Sequence, residues 1–188
     1  MKTTQIILYI CIVIITIVVL LFQYNSNVYV KSSIDGRKYK VKNNSLSQQS
    51  ADALAQINGR LVKLIDVVQK SDKPPEYAQR LNKYNPHSLS ENIWDIDTTY
   101  TTNKGYSMTF CLSTREGDEK IYDINTLMYV AIHELAHVSA VSFGHTEEFL
   151  LNFKSLLRYA IEAELYAYVD YNKSPVEYCG LNITDSIL

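Results

Sequence analysis

An unbroken apolar stretch near the N-terminus sets the first limit on how this chain can fold. Residues 6–22 read IILYICIVIITIVVLLF and contain no charged residue, proline or glycine. With the uncharged residues on either side, the stretch approaches the roughly 20 residues with which an α-helix crosses a bilayer. We therefore expect a transmembrane helix over residues 6–24, between a short tail of residues 1–5 and a domain that covers residues 25–188.

A cleaved signal peptide is the alternative interpretation of this stretch. The apolar part of a signal peptide is usually about 7–15 residues long and precedes small residues at the cleavage site. Here the tract is longer and QYNSNVYV follows it, which favours a retained single-pass anchor in a membrane. Lys2 favours a cytoplasmic N-terminus, whereas the basic residues between Lys31 and Lys42 favour the opposite orientation. The first of these lies nine residues beyond Phe22, so the balance tips toward a cytoplasmic N-terminus.

Composition limits the class of the remaining domain. The 188 residues amount to about one domain, and the 47% of hydrophobic residues is enough for a packed core. Eighteen basic and twenty acidic residues give a net charge of −2, so we expect no nucleic-acid partner. Three cysteines are too few for a disulfide scaffold or a four-thiolate zinc site. Cys111 and Cys179 could pair in an oxidising compartment or could remain free thiols.

Residue periodicity predicts an α+β domain with a small antiparallel sheet and long helices. The Asp35-Gly36 pair between two alternating runs predicts a β-hairpin. Two further strands are expected over residues 93–101 and 106–113, joined by turn residues. The segment after the second of these strands is polar and reads REGDEK, and the C-terminal tail is expected to be irregular.

Apolar residues at helical spacing predict the helices. They are expected over residues 47–70, 74–84, 125–142 and 146–160. The apolar stripe of the first helix is expected to pack on the core, with partner binding as the alternative. Asn125 and Thr146 are expected to cap the last two helices, and Gly144 is expected to end the third.

One short segment has the residue types and the spacing of a metal site. Residues 133–137 read HELAH within the third predicted helix. Because residues four apart share a face of a helix, His133 and His137 can reach one ion. Glu134 would lie beside that ion, where it could take a proton from a bound water. Three of the four histidines fall within thirteen residues, which argues against a pair of surface histidines placed by chance.

The third metal ligand is predicted to be His145. Gly144 lets the chain turn sharply off the helix and bring His145 back toward the ion. Three histidines and a water form an ordinary open zinc site. The rival ligands are acidic residues of the next helix: Glu147, Glu148, Glu162 and Glu164. His87 follows a proline and is expected to be a loop residue.

A donor that stabilises an oxyanion is often added to such a site. Three downstream tyrosines could supply it: Tyr166, Tyr171 and Tyr178. For each of them, an ordinary packed or surface tyrosine is the favoured interpretation, since nothing in the local sequence positions the hydroxyl.

The segment NTLMYVAIHELAHVSAVSFGHTEEFLLNFKSLL resembles the metal-binding segment of zincin-type zinc metallopeptidases, and it is most similar to the WLM and SprT-like group. In that group a third histidine follows the HExxH helix, and an aromatic residue stands four positions later. His145 and Phe149 occupy those positions here. Two features depart from the group: Phe149 stands where the WLM name implies a tryptophan, and the seven residues between His137 and His145 form a longer gap than usual.

More of the chain is similar to small membrane-anchored metallopeptidase-like proteins of large DNA viruses of eukaryotes. The similar segments are SSIDGRKYKVKN, TTNKGYSMTFCL, the HELAH helix and DYNKSPVEYCGLNI. The zincin resemblance implies a zincin-like fold, a bound Zn²⁺ and peptide-bond hydrolysis. It also implies that a strand edges the cleft, for which residues 106–113 are the expected segment.

Together these observations predict a membrane-anchored zinc peptidase of a host or virion membrane, with a peptide or protein as substrate. His133, His137 and His145 would bind Zn²⁺, and Glu134 would be the general base. The main alternative is an inactive zinc-binding structural or interaction module tethered to a membrane. A protease acting on DNA-bound protein is disfavoured by the net charge of −2, and an interaction protein that uses the helix of residues 47–70 is a further alternative.

Overall fold

The computed structural model describes residues 3–93, 98–115 and 119–188, with the side chains of residues 3–4 and 21–25 excepted. The helices are α1 (Thr3–Asn25), α2 (Ser47–Lys70), α3 (Ile124–Ser139) and α4 (Glu147–Glu162), with a 3-10 helix (Glu76–Lys83) after α2. The strands are β1 (Asn27–Lys31), β2 (Lys38–Lys42), β3 (Leu89–Glu91), β4 (Tyr100–Thr102), β5 (Ser107–Phe110), β6 (Val176–Tyr178) and β7 (Leu181–Ile183). The predicted α+β class with a small sheet is confirmed.

The predicted transmembrane helix over residues 6–24 is wrong. Among the described residues, the structure contains no helix with the length and apolar character needed to cross a bilayer. The predicted single-pass membrane localisation is wrong for the same reason, and the predicted orientation no longer applies. Residues 1–2 and the side chains of residues 21–24 are outside the part of the chain that the structure describes.

The main sheet has five strands in the order β1-β2-β3-β5-β4, and it is mixed rather than antiparallel. The predicted hairpin around Asp35-Gly36 is confirmed, since β1 and β2 pair antiparallel with Lys31 opposite Lys38. β3 pairs parallel with both β2 and β5. α2 and the 3-10 helix lie between β2 and β3 in the chain and form the long connection that a parallel pair needs. β3 was not expected from the sequence, and its two parallel pairings make the sheet mixed where an antiparallel one was predicted.

The two strands predicted around the TTNKG turn are present but shorter. Of the strand predicted over residues 93–101, residues 94–97 lie outside the described part of the chain, and β4 begins at Tyr100. β5 ends at Phe110 rather than at Ser113. Asn103 and Lys104 in the turn between them have positive φ angles, of 45° and 55°. In the following loop, residues 116–118 also lie outside the description.

Helix α2 packs its apolar stripe into the core, as the sequence predicts. The stripe faces β2, α3 and α4. Its fully buried members are Leu54, Ile57, Leu61, Leu64 and Val68. The segment predicted as a short second helix forms the 3-10 helix, whose buried residues include Tyr77 and Leu81. The core therefore lies among the sheet and the helices, and α3 is held by its contacts with α2, α4, the 3-10 helix and β4.

Helix α3 is capped by Asp123 and not by Asn125. The Asp123 carboxylate accepts hydrogen bonds from the backbone N–H groups of Asn125, at 2.8 Å, and Thr126, at 3.2 Å. The Asn125 amide instead bonds the backbone of Ala167, both as donor and as acceptor. The predicted cap was displaced because a carboxylate two residues earlier satisfies the same orphan N–H groups.

The C-terminal end of α3 also differs from the prediction. The helix ends at Ser139, five residues before Gly144, and residues 140–146 form an irregular connection to α4. Gly144 lies in this connection with a φ of 80°, so it supplies a turn but not the helix end. Thr146 caps α4 as predicted, since its hydroxyl accepts a hydrogen bond from the N–H of Phe149.

The C-terminal tail is more ordered than the sequence suggested. β6 and β7 form an antiparallel hairpin around Cys179-Gly180. Cys111 and Cys179 form a disulfide, which joins this hairpin to the end of β5. The Tyr178 hydroxyl strengthens the junction by donating to the carbonyl of Cys111 at 2.8 Å. The hairpin is therefore fixed beside the sheet.

Candidate metal centre

Two of the three clustered histidines lie one helical turn apart on α3. The buried residues around them, among them Ile132, Leu135 and Ala136, hold α3 in the core. His133 and His137 are each half-buried, and their ring centroids are 5.0 Å apart. The spacing of four residues thus places both imidazoles on one face, as the sequence predicts.

His145 reaches the same point from the connection between α3 and α4. Its Nε2 atom lies 3.0 Å from Nε2 of His133, and its ring centroid lies 4.9 Å from that of His137. One nitrogen of each histidine can be chosen so that all three lie within 4.8 Å of one another. The structure therefore brings together the three residues that the sequence singled out as ligands.

Aromatic packing orients the imidazoles. The ring of Phe149, on the first turn of α4, is stacked on His137 with centroids 4.3 Å apart and planes at 30°. The same ring meets His133 and His145 edge-on, at 4.9 Å and 4.8 Å. Phe149 is almost fully buried. Phe149, the aromatic residue four positions after His145, thus packs against all three imidazoles of the cluster.

The electrostatic environment keeps two of the histidines neutral. Burial lowers the pKa of His133 to about 3, and the neighbouring imidazoles add to the effect. Burial likewise lowers the pKa of His137 to about 4. A neutral imidazole has a free lone pair, which is the form that binds a metal ion.

Glu134 lines the same cavity as the histidines and is itself buried, with 5% of its surface exposed. Burial raises the pKa of its carboxyl group to about 8, and a hydrogen bond from the backbone N–H of Thr101 partly offsets this shift. A carboxyl group whose pKa lies near neutrality is suited to exchange protons at physiological pH. Thr101 belongs to β4, so the sheet edge positions this carboxyl group.

The cluster opens into a cavity of about 640 Å³. Its walls come from α3, from residues 98–104 around β4, from the connection that carries His145, and from residues 181–185 at and after β7. The expectation that the strand of residues 106–113 edges this cleft is wrong. β5 lies between β3 and β4, so β4 is the edge strand.

The rival ligands are placed elsewhere. The Glu148 carboxylate accepts hydrogen bonds from the backbone N–H groups of Val141 and Ser142 and pairs with Arg80 at 3.0 Å. Glu147, Glu162 and Glu164 are not part of the histidine cluster among the described residues. His87 is exposed in the loop after Pro86, as expected.

The three tyrosines considered as oxyanion donors are engaged in packing. Tyr178 lines the cavity, but its hydroxyl donates to the Cys111 carbonyl and shares a hydrogen bond with the Thr99 hydroxyl. Tyr166 and Tyr171 pack against the ring of Tyr129, with centroids 6.0 Å and 4.7 Å from it. The arrangement agrees with the ordinary packed-tyrosine interpretation.

Two residues of the site carried no signal in the sequence. Thr101 bonds Glu134 through its backbone, and Lys104 lines the cavity from the β4–β5 turn. The TTNKG segment predicts the turn, but the contacts depend on how β4 lies against α3, which no local pattern encodes. The cavity wall formed by the C-terminal hairpin was missed because three-residue strands are too short to show alternation.

The donor set fits a zinc ion. Two nitrogens bound tetrahedrally at about 2.0–2.1 Å from one zinc ion lie about 3.3 Å apart, and the His133 and His145 nitrogens are 3.0 Å apart. Zinc accepts imidazole nitrogen readily, and three protein ligands leave one position open. His133, His137 and His145 are thus the residues that could hold the ion.

Comparison with known proteins finds relatives among viral proteins. The chain is 36% identical over 166 residues to the uncharacterized protein R325 of Acanthamoeba polyphaga mimivirus, which covers 85% of this chain and 84% of R325. It is 38% identical over 110 residues to protein 042R of Invertebrate iridescent virus 3, covering 57% of this chain and 63% of that protein. With protein 136R of Invertebrate iridescent virus 6 it shares 38% identity over 68 residues, covering 36% and 38%.

No family model matches the chain, and no solved structure matches it. The similarity to R325 extends over most of both chains, so it includes the domain that carries the histidine cluster. The chain therefore belongs to the family of viral proteins that includes mimivirus protein R325.

Proposed function

We propose that this protein is a zinc-dependent peptidase. The observation that carries the proposal is the meeting of three histidine nitrogens within 4.8 Å of one another in a cavity that Glu134 also lines. Imidazole nitrogens in this number form the usual protein ligand set of an open zinc site. A buried carboxyl group beside such a set is the arrangement expected of a hydrolase.

A zinc ion held by His133, His137 and His145 would supply Lewis-acid chemistry, polarising a carbonyl group and acidifying a water. Glu134 is the residue that takes the proton from the attacking water and passes it to the leaving amine. The backbone N–H of Thr101 lies beside this carboxyl group and favours its charged form. Phe149 keeps the imidazoles in their orientation from the opposite side.

A peptide is the substrate that best suits the walls of the cavity. β4 is the edge strand of the sheet and contributes residues 100–101 to the lining. An edge strand can bind an extended peptide by backbone hydrogen bonds. This contact would lay a substrate backbone across the cavity beside Glu134.

A structural zinc module is the alternative function. A structural site is closed by four protein ligands, whereas the described residues bring three histidines together in a cluster that opens into a cavity of about 640 Å³. The buried carboxyl group of Glu134 in that cavity has no role in a purely structural site. Both features favour hydrolysis.

The test replaces Glu134 by glutamine in the full chain. Glu134→Gln keeps the size of the side chain and the acceptor for Thr101 but removes the base. We expect zinc binding to survive and the rate of peptide hydrolysis to fall by about 10²–10⁴-fold, the usual contribution of a positioned general base. Glu147→Gln is the matched control, since Glu147 is an exposed residue near the cluster, and it should leave the rate unchanged.

The outcomes separate the two functions. Equal cleavage by the wild type and Glu134→Gln would remove Glu134 from the mechanism. Tight zinc binding by both proteins, with no cleavage across a broad peptide library, would favour the structural module.

A further inference from the structure

The connection that carries His145 is held by charged side chains from three separate elements. Between the end of α3 and the start of α4, residues 140–146 contain no regular structure. Arg80, on the 3-10 helix, donates to the Ser139 carbonyl and pairs with Glu148 at 3.0 Å. Glu148 in turn accepts from two N–H groups of the connection, those of Val141 and Ser142.

Lys104 is the third charged residue that binds the connection, and it reaches the connection from the cavity side. Its Nζ atom donates to the carbonyl of Ala140 at 2.9 Å and to that of Ser142. The same ammonium group lies 4.5 Å from the centroid of the Phe143 ring. Lys104 thus contacts Ala140, Ser142 and Phe143, immediately before the turn at Gly144.

Lys104 differs from Arg80 and Glu148 in its position in the fold. It lies in the turn between β4 and β5, and it lines the cavity together with His137 and His145. The turn is tightly seated, because a Cβ atom at Gly105 would lie 2.9 Å from the Lys83 carbonyl oxygen. Lys104 therefore ties the connection that carries His145 to β4, the strand that also bonds Glu134.

We propose that Lys104 is a positioning residue for His145: by binding the carbonyls of Ala140 and Ser142, it holds the third imidazole at the metal centre. The proposal rests on the proposed zinc site. Ordering a flexible connection costs conformational entropy. If the connection is already ordered by Lys104, zinc binding does not have to supply that free energy. Residues that orient a ligand typically account for about 10–100-fold in metal affinity.

The sign of the effect separates positioning from electrostatics. Lys104 carries a positive charge in the same cavity as the histidines. Removing a positive charge near a cation site strengthens cation binding by Coulomb's law. Loss of positioning weakens it. A weaker affinity for zinc in a Lys104 variant is therefore evidence for positioning.

The experiment measures zinc affinity of the full chain by competition with a chromophoric chelator, without any assay of hydrolysis. We expect Lys104→Met to weaken zinc binding by about 10–100-fold, and Lys104→Arg, whose guanidinium can also bond two carbonyls, to recover most of the loss. Lys83→Met is the matched control, because Lys83 is an exposed neighbour of Lys104. It should leave the affinity unchanged or slightly raise it.

A double-mutant cycle with His145→Ala tests whether Lys104 acts through His145. If it does, Lys104→Met causes no further loss of zinc affinity once His145 is absent. An equal loss in both backgrounds, or no loss in the wild-type background while His145→Ala loses zinc, would overturn the proposal and leave the zinc site intact. Absence of zinc binding by the wild type would overturn both. Cobalt substitution provides a second measurement: the d–d spectrum of Lys104→Gln should change from that of the wild type, and an identical spectrum would count against positioning.

Discussion

At the scale of single residues, burial decides what each acidic side chain near the cluster can do. Glu148 is partly exposed, and its backbone hydrogen bonds to Val141 and Ser142 lower the pKa of its carboxyl group. Glu134 lies three residues before His137 on the buried face of α3, and burial raises the pKa of its carboxyl group to about 8. The Glu148 carboxylate therefore binds backbone N–H groups, whereas the Glu134 carboxyl group can change its protonation near neutral pH.

The raised pKa of Glu134 makes a prediction about stability. An acid whose pKa rises on folding stabilises the fold below its unfolded value of about 4.3, and this stabilisation is lost as pH increases toward about 8. In the metal-free protein, Glu134→Gln should therefore gain stability relative to the wild type as pH rises from 4.5 to 8. The gain is at most about 1.4 kcal/mol per pH unit. Urea unfolding at pH 5, 6 and 7 measures it.

Zinc provides the control for this prediction. A nearby cation favours the ionised carboxylate, so the pH dependence of the difference between the two proteins should shrink when zinc is bound. A difference that is independent of pH in the metal-free proteins would mean that Glu134 is ionised throughout this range.

At the scale of the elements, the sequence predicted those parts whose signals are local. The stripe of α2 and the Thr146 cap of α4 are periodic or adjacent patterns, and both are confirmed. The spacing of His133 and His137 needs only a helix, so their meeting could also be predicted. The early end of α3 could not, because the Arg80 side chain that bonds the Ser139 carbonyl comes from a different element. For the same reason, the contacts of Lys104 with the connection could not be predicted from the sequence.

The cap of α3 gives a prediction that distinguishes the observed structure from the sequence interpretation. Asp123→Ala removes the acceptor of two backbone N–H groups and should cost about 0.5–2 kcal/mol of stability. Thermal or urea unfolding measures the loss. Asp66→Ala is the matched control, since Asp66 forms an exposed pair with Lys70 on α2 and such pairs contribute little. Equal losses in the two variants would argue against Asp123 as the cap.

At the scale of the whole molecule, the disulfide encloses the candidate site. Cys111 ends the β5 region and Cys179 lies in the C-terminal hairpin, with a sequence separation of 68 residues. The enclosed chain contains α3, α4 and all three clustered histidines. The hairpin itself contributes a wall of the cavity through Leu181 and Ile183 but lies outside the histidine cluster. The disulfide should therefore affect global stability and the cavity wall more than the metal centre.

This arrangement predicts a separation between stability and zinc affinity. Closing a loop of this length constrains the unfolded chain by about 4 kcal/mol, so Cys111→Ala with Cys179→Ala should lower the free energy of unfolding by roughly that amount. Zinc affinity should stay within a few-fold of the wild type, because α3, α4 and the connection between them hold the histidines. Peptide cleavage should fall more than zinc affinity, since the wall of the cavity loses its tether. Cys11→Ser, which removes a free exposed thiol, should change none of the three. A loss of zinc affinity as large as that of His145→Ala would instead show that the hairpin holds the metal centre itself.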